Sequence, residues 1–293
     1  MELEHSYIET NGIRLHVVQA GPKSGVPVVL LHGFPEFWYG WRKQIPALVE
    51  AGCRVIVPDQ RGSNLSDKPK NVKEYDIYTL VDDIIGLIDA LGYEKVNLVG
   101  HDWGALIAWR LANKYPERLH RLGIMNAPHP AVMKRFLQRD LEQLRRSWYV
   151  FLFQLPWIPE TGMQQDNWRR AERSLRNTSK INSFTDEDIL KYKEAWSQPG
   201  AMTATINWYR AALRYQRPAP KDPRIKVPTL MMWGMQDFAL SHRMARPSMD
   251  YVDEGNLILF PEATHWVHLD EAEEVNHYLI DFIFDKASQI VVR

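Results

Sequence analysis

Three side chains in this sequence, Asp102, Asp237 and His265, could together cut a bond through a covalent intermediate. Asp102 lies at the centre of Gly100-His101-Asp102-Trp103-Gly104, directly after the apolar run Val96-Asn97-Leu98-Val99 and before the helix-like Ala105-Leu106-Ile107-Ala108-Trp109. A strand, a turn with small residues on either side of a nucleophile, and a helix present that nucleophile on a sharp bend, and the helix N-terminus favours an anion there. The only other glycines four apart, Gly21 and Gly25, sit with Pro22, Lys23 and Ser24 in what reads as a plain turn. No Gly-x-Ser-x-Gly occurs, so the turn offers a carboxylate instead of a hydroxyl. With an ordinary pKa of roughly 3.9 it is ionised at neutral pH and needs no base to attack. A carboxylate suits displacement at a saturated carbon, which leaves an ester on the enzyme. The competing reading is an Asp that only caps the helix.

A base is then needed to activate the water that cleaves the ester. His265, in Pro261-Glu262-Ala263-Thr264-His265-Trp266 after the run Leu257-Ile258-Leu259-Phe260, is the candidate. Asp237, after the run ending Trp233-Gly234, would hold the imidazole in its tautomer and balance its charge. His268, one turn further on, reads as a packing residue. Asn126, after Ile124-Met125, occupies a place where some relatives carry the acid, but a neutral amide cannot balance an imidazolium. His32-Gly33-Phe34-Pro35 follows the first core run, and the N–H groups of Phe34 and Trp103 could form an oxyanion hole for ester hydrolysis. The alternative for His-Gly-x-Pro is a tight turn without a chemical role.

These residues require a scaffold that brings the ends of several strands together. To about residue 129 short apolar runs (Val28–Leu31, Val55–Val57, Val96–Val99) alternate with helical patterns such as Tyr78–Leu91. Runs of that kind read as strands buried on both faces of a mostly parallel sheet with helices on either side. From 130 to 217 strand-like runs vanish and Trp, Arg and Gln become frequent, with Leu141, Leu144, Trp148, Phe151 and Leu155 at helical spacing. The alternation resumes after Pro218-Ala219-Pro220. The expectation is an α/β core from 1–129 and 218–293, interrupted by a helical lid, or cap domain, over 130–217.

Composition narrows the classes further. The 293 residues carry 36 basic and 36 acidic side chains, so no charge excess exists to hold nucleic acid or an anionic membrane surface. With 45% hydrophobic and 25% charged residues the chain has the balance of a globular protein. One cysteine, Cys53, excludes an internal disulfide and a cysteine-rich zinc cage. The opening Met1-Glu2-Leu3-Glu4-His5 lacks the features of a secretory signal, and no 18-residue apolar run occurs. A cytoplasmic protein is expected.

Taken together, His32-Gly33-Phe34-Pro35-Glu36, Gly100-His101-Asp102-Trp103-Gly104, Asp237 and His265 resemble the soluble-type epoxide hydrolases of the α/β-hydrolase fold, over nearly the whole chain. The order nucleophile, acid, histidine is that of the fold family. The resemblance implies two lid tyrosines that protonate the epoxide oxygen, mapping to Tyr149 and to Tyr209 in Asn207-Trp208-Tyr209-Arg210. A tyrosine with an ordinary pKa of roughly 10 stays protonated at neutral pH; otherwise both would be amphipathic lid residues. Trp103, Phe34 and Pro35 would line the substrate pocket. In Pro58-Asp59-Gln60-Arg61-Gly62-Ser63-Asn64, Ser63 and Asn64 replace a frequent aromatic and glycine, and Asn64 can take the left-handed backbone the turn needs. The implied partners are a small apolar epoxide and water, with no organic cofactor and no metal. The nearest rival is a haloalkane dehalogenase, which uses the same Asp nucleophile. That enzyme cradles a halide with N–H donors, and Phe34 has no side-chain donor where an Asn is usual. A non-catalytic ligand-binding protein on the same fold is the rival from another class.

Overall fold

Runs of Val, Ile and Leu too apolar to face water on either side build the centre of the sheet in the computed structural model, which describes residues 1–286. In chain order the elements are β1 (Glu4–Thr10), β2 (Ile13–Ala20), β3 (Val26–Leu31), α1 (Gln44–Glu50), β4 (Cys53–Pro58), α2 (Ile77–Ala90), β5 (Val96–His101), α3 (Trp103–Lys114) and β6 (Leu119–Met125). Then come α4 (Pro130–Arg139), α5 (Leu141–Arg146), α6 (Trp148–Leu152), α7 (Ile158–Asn177), α8 (Asp186–Trp196) and α9 (Ala201–Arg214). The chain returns with β7 (Thr229–Gly234), α10 (Ala245–Met249), β8 (Gly255–Phe260), α11 (Val267–Asp270) and α12 (Ala272–Ile283).

The strands form one sheet in the order β1-β2-β4-β3-β5-β6-β7-β8, antiparallel at β1/β2 and β2/β4 and parallel from β4 onward. Every residue of β4, β5 and β7 is buried, as expected for parallel strands covered on both faces. Side chains alternate across the sheet. Val28 and Leu30 of β3 join α1 and α12 residues such as Leu48 and Leu279 on one face. Val29 and Leu31 join α2 and α3 residues such as Ile84 and Ile107 on the other. Full burial of one such side chain contributes roughly 1.5–3 kcal/mol. Cys53, at the start of β4, is fully buried, and that burial pushes its thiol up to about 11.

The β1–β2 hairpin lies outside the runs singled out in the sequence. β1 is mostly polar, and Asn11-Gly12 between the two strands takes positive φ at both positions (44° and 75°), the mirror-image turn that fits strand twist. Asn64 also takes φ 40°, and its side chain donates to the Asp59 carboxylate.

Between β6 and β7 the described elements are all helices. This stretch sits over the carboxyl ends of the strands: Trp196 and Trp208 donate their indole N–H to the carbonyls of Pro35 and Arg61, and the Tyr192 hydroxyl donates to Glu36. A buried Arg210–Glu160 pair (2.7 Å), with Arg210 also donating to the carbonyls of Phe153 and Leu155, ties α9 to the turn after α6. The apolar spacing from Leu141 to Leu155 does not mark a buried face. It spans two short helices, and Leu141, Trp148 and Phe151 are more than half exposed. Trp157 is exposed as well, whereas Trp168, Trp196 and Trp208 are buried. No described helix is long and apolar enough to cross a membrane.

Candidate active site

The loops that leave the carboxyl ends of β3, β5, β6, β7 and β8 converge on Asp102, the usual place for a site in an open parallel sheet. Asp102 itself joins β5 to α3 with φ 50° and ψ −117°, a backbone that L-residues rarely adopt. Such a bend holds only if its neighbours can close on it. A Cβ at Gly104 would overlap the Leu31 carbonyl oxygen, and one at Gly100 would overlap the backbone of Gly104. Both glycines of the motif are therefore demanded by close packing, and both keep ordinary negative φ.

The result is a carboxylate placed among three neighbours. The Phe34 N–H donates to Asp102 Oδ1 at 2.9 Å. Asp102 Oδ2 lies 3.6 Å from His265 Nε2. Trp103, at the first position of α3, contributes an N–H with no acceptor inside the helix. On its far side His265 Nδ1 is 2.7 Å from Asp237 Oδ2.

Asp237 is buried and fully engaged: Oδ1 accepts from the N–H groups of Ala239 (2.8 Å) and Leu240 (2.9 Å), while Oδ2 also accepts from Asn126 Nδ2 (2.8 Å). Asn126 accepts in turn from the Gly234 N–H at 3.0 Å. Burial alone would raise the Asp237 carboxyl, but the His265 charge and these donors hold it below the ordinary value. For His265 burial opposes the charge, and Asp237 more than offsets it with help from Asp102 and Glu36, so the imidazole is pushed up to about 9.

The two tyrosines stand beside each other, ring centroids 5.9 Å apart, with Tyr209 edge-on to both Phe34 (5.2 Å) and Trp103 (4.9 Å). Burial pushes both phenols above their ordinary value, and the Asp102 carboxylate pushes them in the same direction. Pro35 is buried beside Phe34, its carbonyl taken by Trp196. The structure thus brings together Asp102, Asp237, His265, Tyr149, Tyr209, Phe34 and Trp103.

Three residues escaped the reading of the sequence as parts of this assembly. Asn126 braces Asp237, as above. Glu36 and His101 lie behind His265: His101 Nδ1 is 2.9 Å from Glu36 Oε2, and His101 Nε2 is 2.9 Å from the His265 carbonyl oxygen. Burial would raise the Glu36 carboxyl, but His268 and His101 hold it well below the ordinary range. His268 is fully buried, packed against His101 (4.3 Å between centroids) and Trp41, with Nε2 3.5 Å from Glu36 Oε1. Glu36, His101 and His268 offer one metal-ligand atom each within 4.8 Å, the described group of that kind. Each Glu36 oxygen and each His101 nitrogen already takes part in a hydrogen bond.

Residues 26–272 match the model of the alpha/beta hydrolase fold family. The AB hydrolase superfamily protein YfhM of Bacillus subtilis is 47% identical over 94% of this chain and 96% of its own. Epoxide hydrolase 4 of Homo sapiens is 36% identical over 95% of this chain and 78% of its own. Among solved structures, an epoxide hydrolase of Bacillus megaterium in complex with an inhibitor superposes with a TM-score of 0.87 at 30% identity, covering 95% of this chain and all of that one. With matches of this length and identity, the chain belongs to the α/β-hydrolase fold family, in its epoxide hydrolase branch.

Proposed function

We propose that this hydrolase opens a small apolar epoxide to a vicinal diol in two steps. In the first, Asp102 Oδ2 attacks a ring carbon, the carbon–oxygen bond breaks, and Tyr149 and Tyr209 donate to the oxygen as it becomes a hydroxyl. An alkoxide is a poor leaving group, and a positioned acid contributes about 10²–10⁴-fold. In the second, His265 takes a proton from water as its oxygen attacks the ester carbonyl carbon. The tetrahedral intermediate then breaks its bond to the substrate oxygen, which takes the proton from His265 and leaves as the diol, and the Asp102 acid gives its proton back to the tyrosine that lost one in the first step. Asp102 Oδ1, already held by the Phe34 N–H, is the oxygen that becomes the ester carbonyl and takes the charge of the tetrahedral intermediate.

A raised His265 pKa opposes its role as a base most strongly before the ester forms. Alkylation removes the Asp102 charge, which adds to the larger effect of Asp237 in holding the proton on the imidazole, so the first step itself lowers the His265 pKa. The observation that carries the proposal is the placement of one carboxylate between an oxyanion donor and an Asp-braced histidine, with two phenols kept protonated nearby.

The test is diol release from styrene oxide and bromide release from 1-bromobutane, measured for the wild type, Asp102→Ala and Tyr209→Phe. Diol from the wild type, none from Asp102→Ala and a strongly reduced rate in Tyr209→Phe is the expected result. Bromide without diol would make the chain a dehalogenase. Equal activity in Asp102→Ala would remove the covalent route.

A further inference from the structure

The acid of the site is carried by a turn whose backbone is held from outside the core. Gln143, on α5, is fully buried, and its amide is matched atom by atom to the loop after β7. Its Oε1 accepts from the Ser241 N–H (2.9 Å), and its Nε2 donates to the Ala239 carbonyl (2.9 Å) and to Ser147 Oγ (3.0 Å). One turn along, Arg146 donates to the carbonyl of Asp237 itself at 2.5 Å. The N–H of Ala239, whose carbonyl Gln143 holds, is one of the two that grip Asp237 Oδ1. A buried primary amide is tolerated only when its donors and acceptor are all met, so this match restricts the turn to one position. Ser147, the third partner, stands two residues before Tyr149.

We propose that Gln143, assisted by Arg146, is a positioning residue that locks the helical segment carrying Tyr149 to the Asp237 turn, and so sets Asp237 against His265. The inference rests on the two-step reading above. It makes the ring-opening acid and the hydrolytic pair parts of one rigid unit, so that an insert displaced from the core leaves His265 poorly supported. His265 faces Asp237 and Asp102 directly, with His101 and Glu36 behind it.

Gln143→Met and Arg146→Gln test it by single-turnover kinetics, with the ester on Asp102 followed by mass spectrometry. Ester hydrolysis should slow about tenfold or more in Gln143→Met, in line with the cost of misplacing a catalytic group. The ester should accumulate, the midpoint of the hydrolysis pH profile should move to lower pH, and KM should change little. Arg146→Gln should do the same to a smaller degree. A lowered thermal midpoint with both steps and the pH profile at wild-type values would mean a purely structural role and overturn the proposal. If Gln143→Met does not fold, Arg146→Gln decides alone, because the Arg146 side chain is about a third exposed. Absence of any Asp102 ester in His265→Gln would overturn the two-step reading itself, which separates that failure from a failure of the positioning role.

Discussion

His265 works against its own environment, and the conflict is measurable. In the free enzyme Asp237 and Asp102 keep it protonated up to about 9. Because this lies above the ordinary histidine value of roughly 6.5, the charge cluster stabilises the fold fully below about pH 6.5 and loses that contribution as pH rises through about 9. In the proposed mechanism, hydrolysis of the Asp102 ester needs the neutral ring. Its single-turnover rate should therefore rise with pH and level off below pH 9, since the ester has no Asp102 charge; a rate flat or falling with pH would contradict His265 as the base. Asp102, Asp237 and His265 could be picked from the sequence because each follows an apolar run in a recognisable order. Asn126, Glu36 and His101 could not, since an amide, a carboxylate and a ring acquire their roles from partners far away in the chain, as Asn126 does from Asp237. The weighing of Asn126 as a possible acid was correct in chemistry and still missed its use as a brace.

At the scale of elements, the helices of the insert are held by local devices that sequence exposes clearly. Thr185 opens α8 with a capping box, its side chain accepting from the Asp188 N–H while Asp188 returns the bond to the Thr185 N–H. Asp188 also pairs with Arg42 and accepts from the Tyr39 hydroxyl, so the cap ties the insert to the loop after β3. Thr185→Ala should cost about 0.5–2 kcal/mol, seen as a lower midpoint in urea, with the chemical steps largely retained. An unchanged midpoint would show that α8 is held by packing alone. The central strands were legible because full burial on both faces writes itself as unbroken Val, Ile and Leu. The hairpin of β1 and β2 was less so: β1 is a half-exposed, mostly polar edge strand, and in β2 the polar Arg14, His16 and Gln19 interrupt the apolar residues. The direction of the apolar spacing from Leu141 to Leu155 was not legible either: periodicity reports that a face is apolar, not which way it turns once the chain breaks into α5 and α6.

For the whole molecule, neutral net charge hides a strong pH dependence that comes from buried histidines. Burial pushes His129 and His268 down to about 4 and lowers His32 as well, with His101 adding to the effect on His268. Their native pKa values lie below the unfolded one, so they stay neutral in the fold and take up protons on unfolding. Stability is then lost as pH falls below about 6.5, by up to about 3 kcal/mol each for His129 and His268 as pH approaches 4, with His32 acting in the same direction. With His265 acting in the opposite direction, urea midpoints should peak near neutral pH and fall at pH 5 and at pH 9. His129→Asn, which keeps an acceptor for the Ala131 N–H, should flatten the acid side; an unaltered acid limb would assign the loss elsewhere. Cys53 gives the same molecule a reporter that needs no engineering. It is the sole thiol in the chain, enclosed at the head of β4, and held in its unreactive protonated form. A disulfide reagent should leave the folded protein unmarked and convert each opened molecule once, so the pace of labelling in native buffer reads out how often the middle of the sheet comes apart.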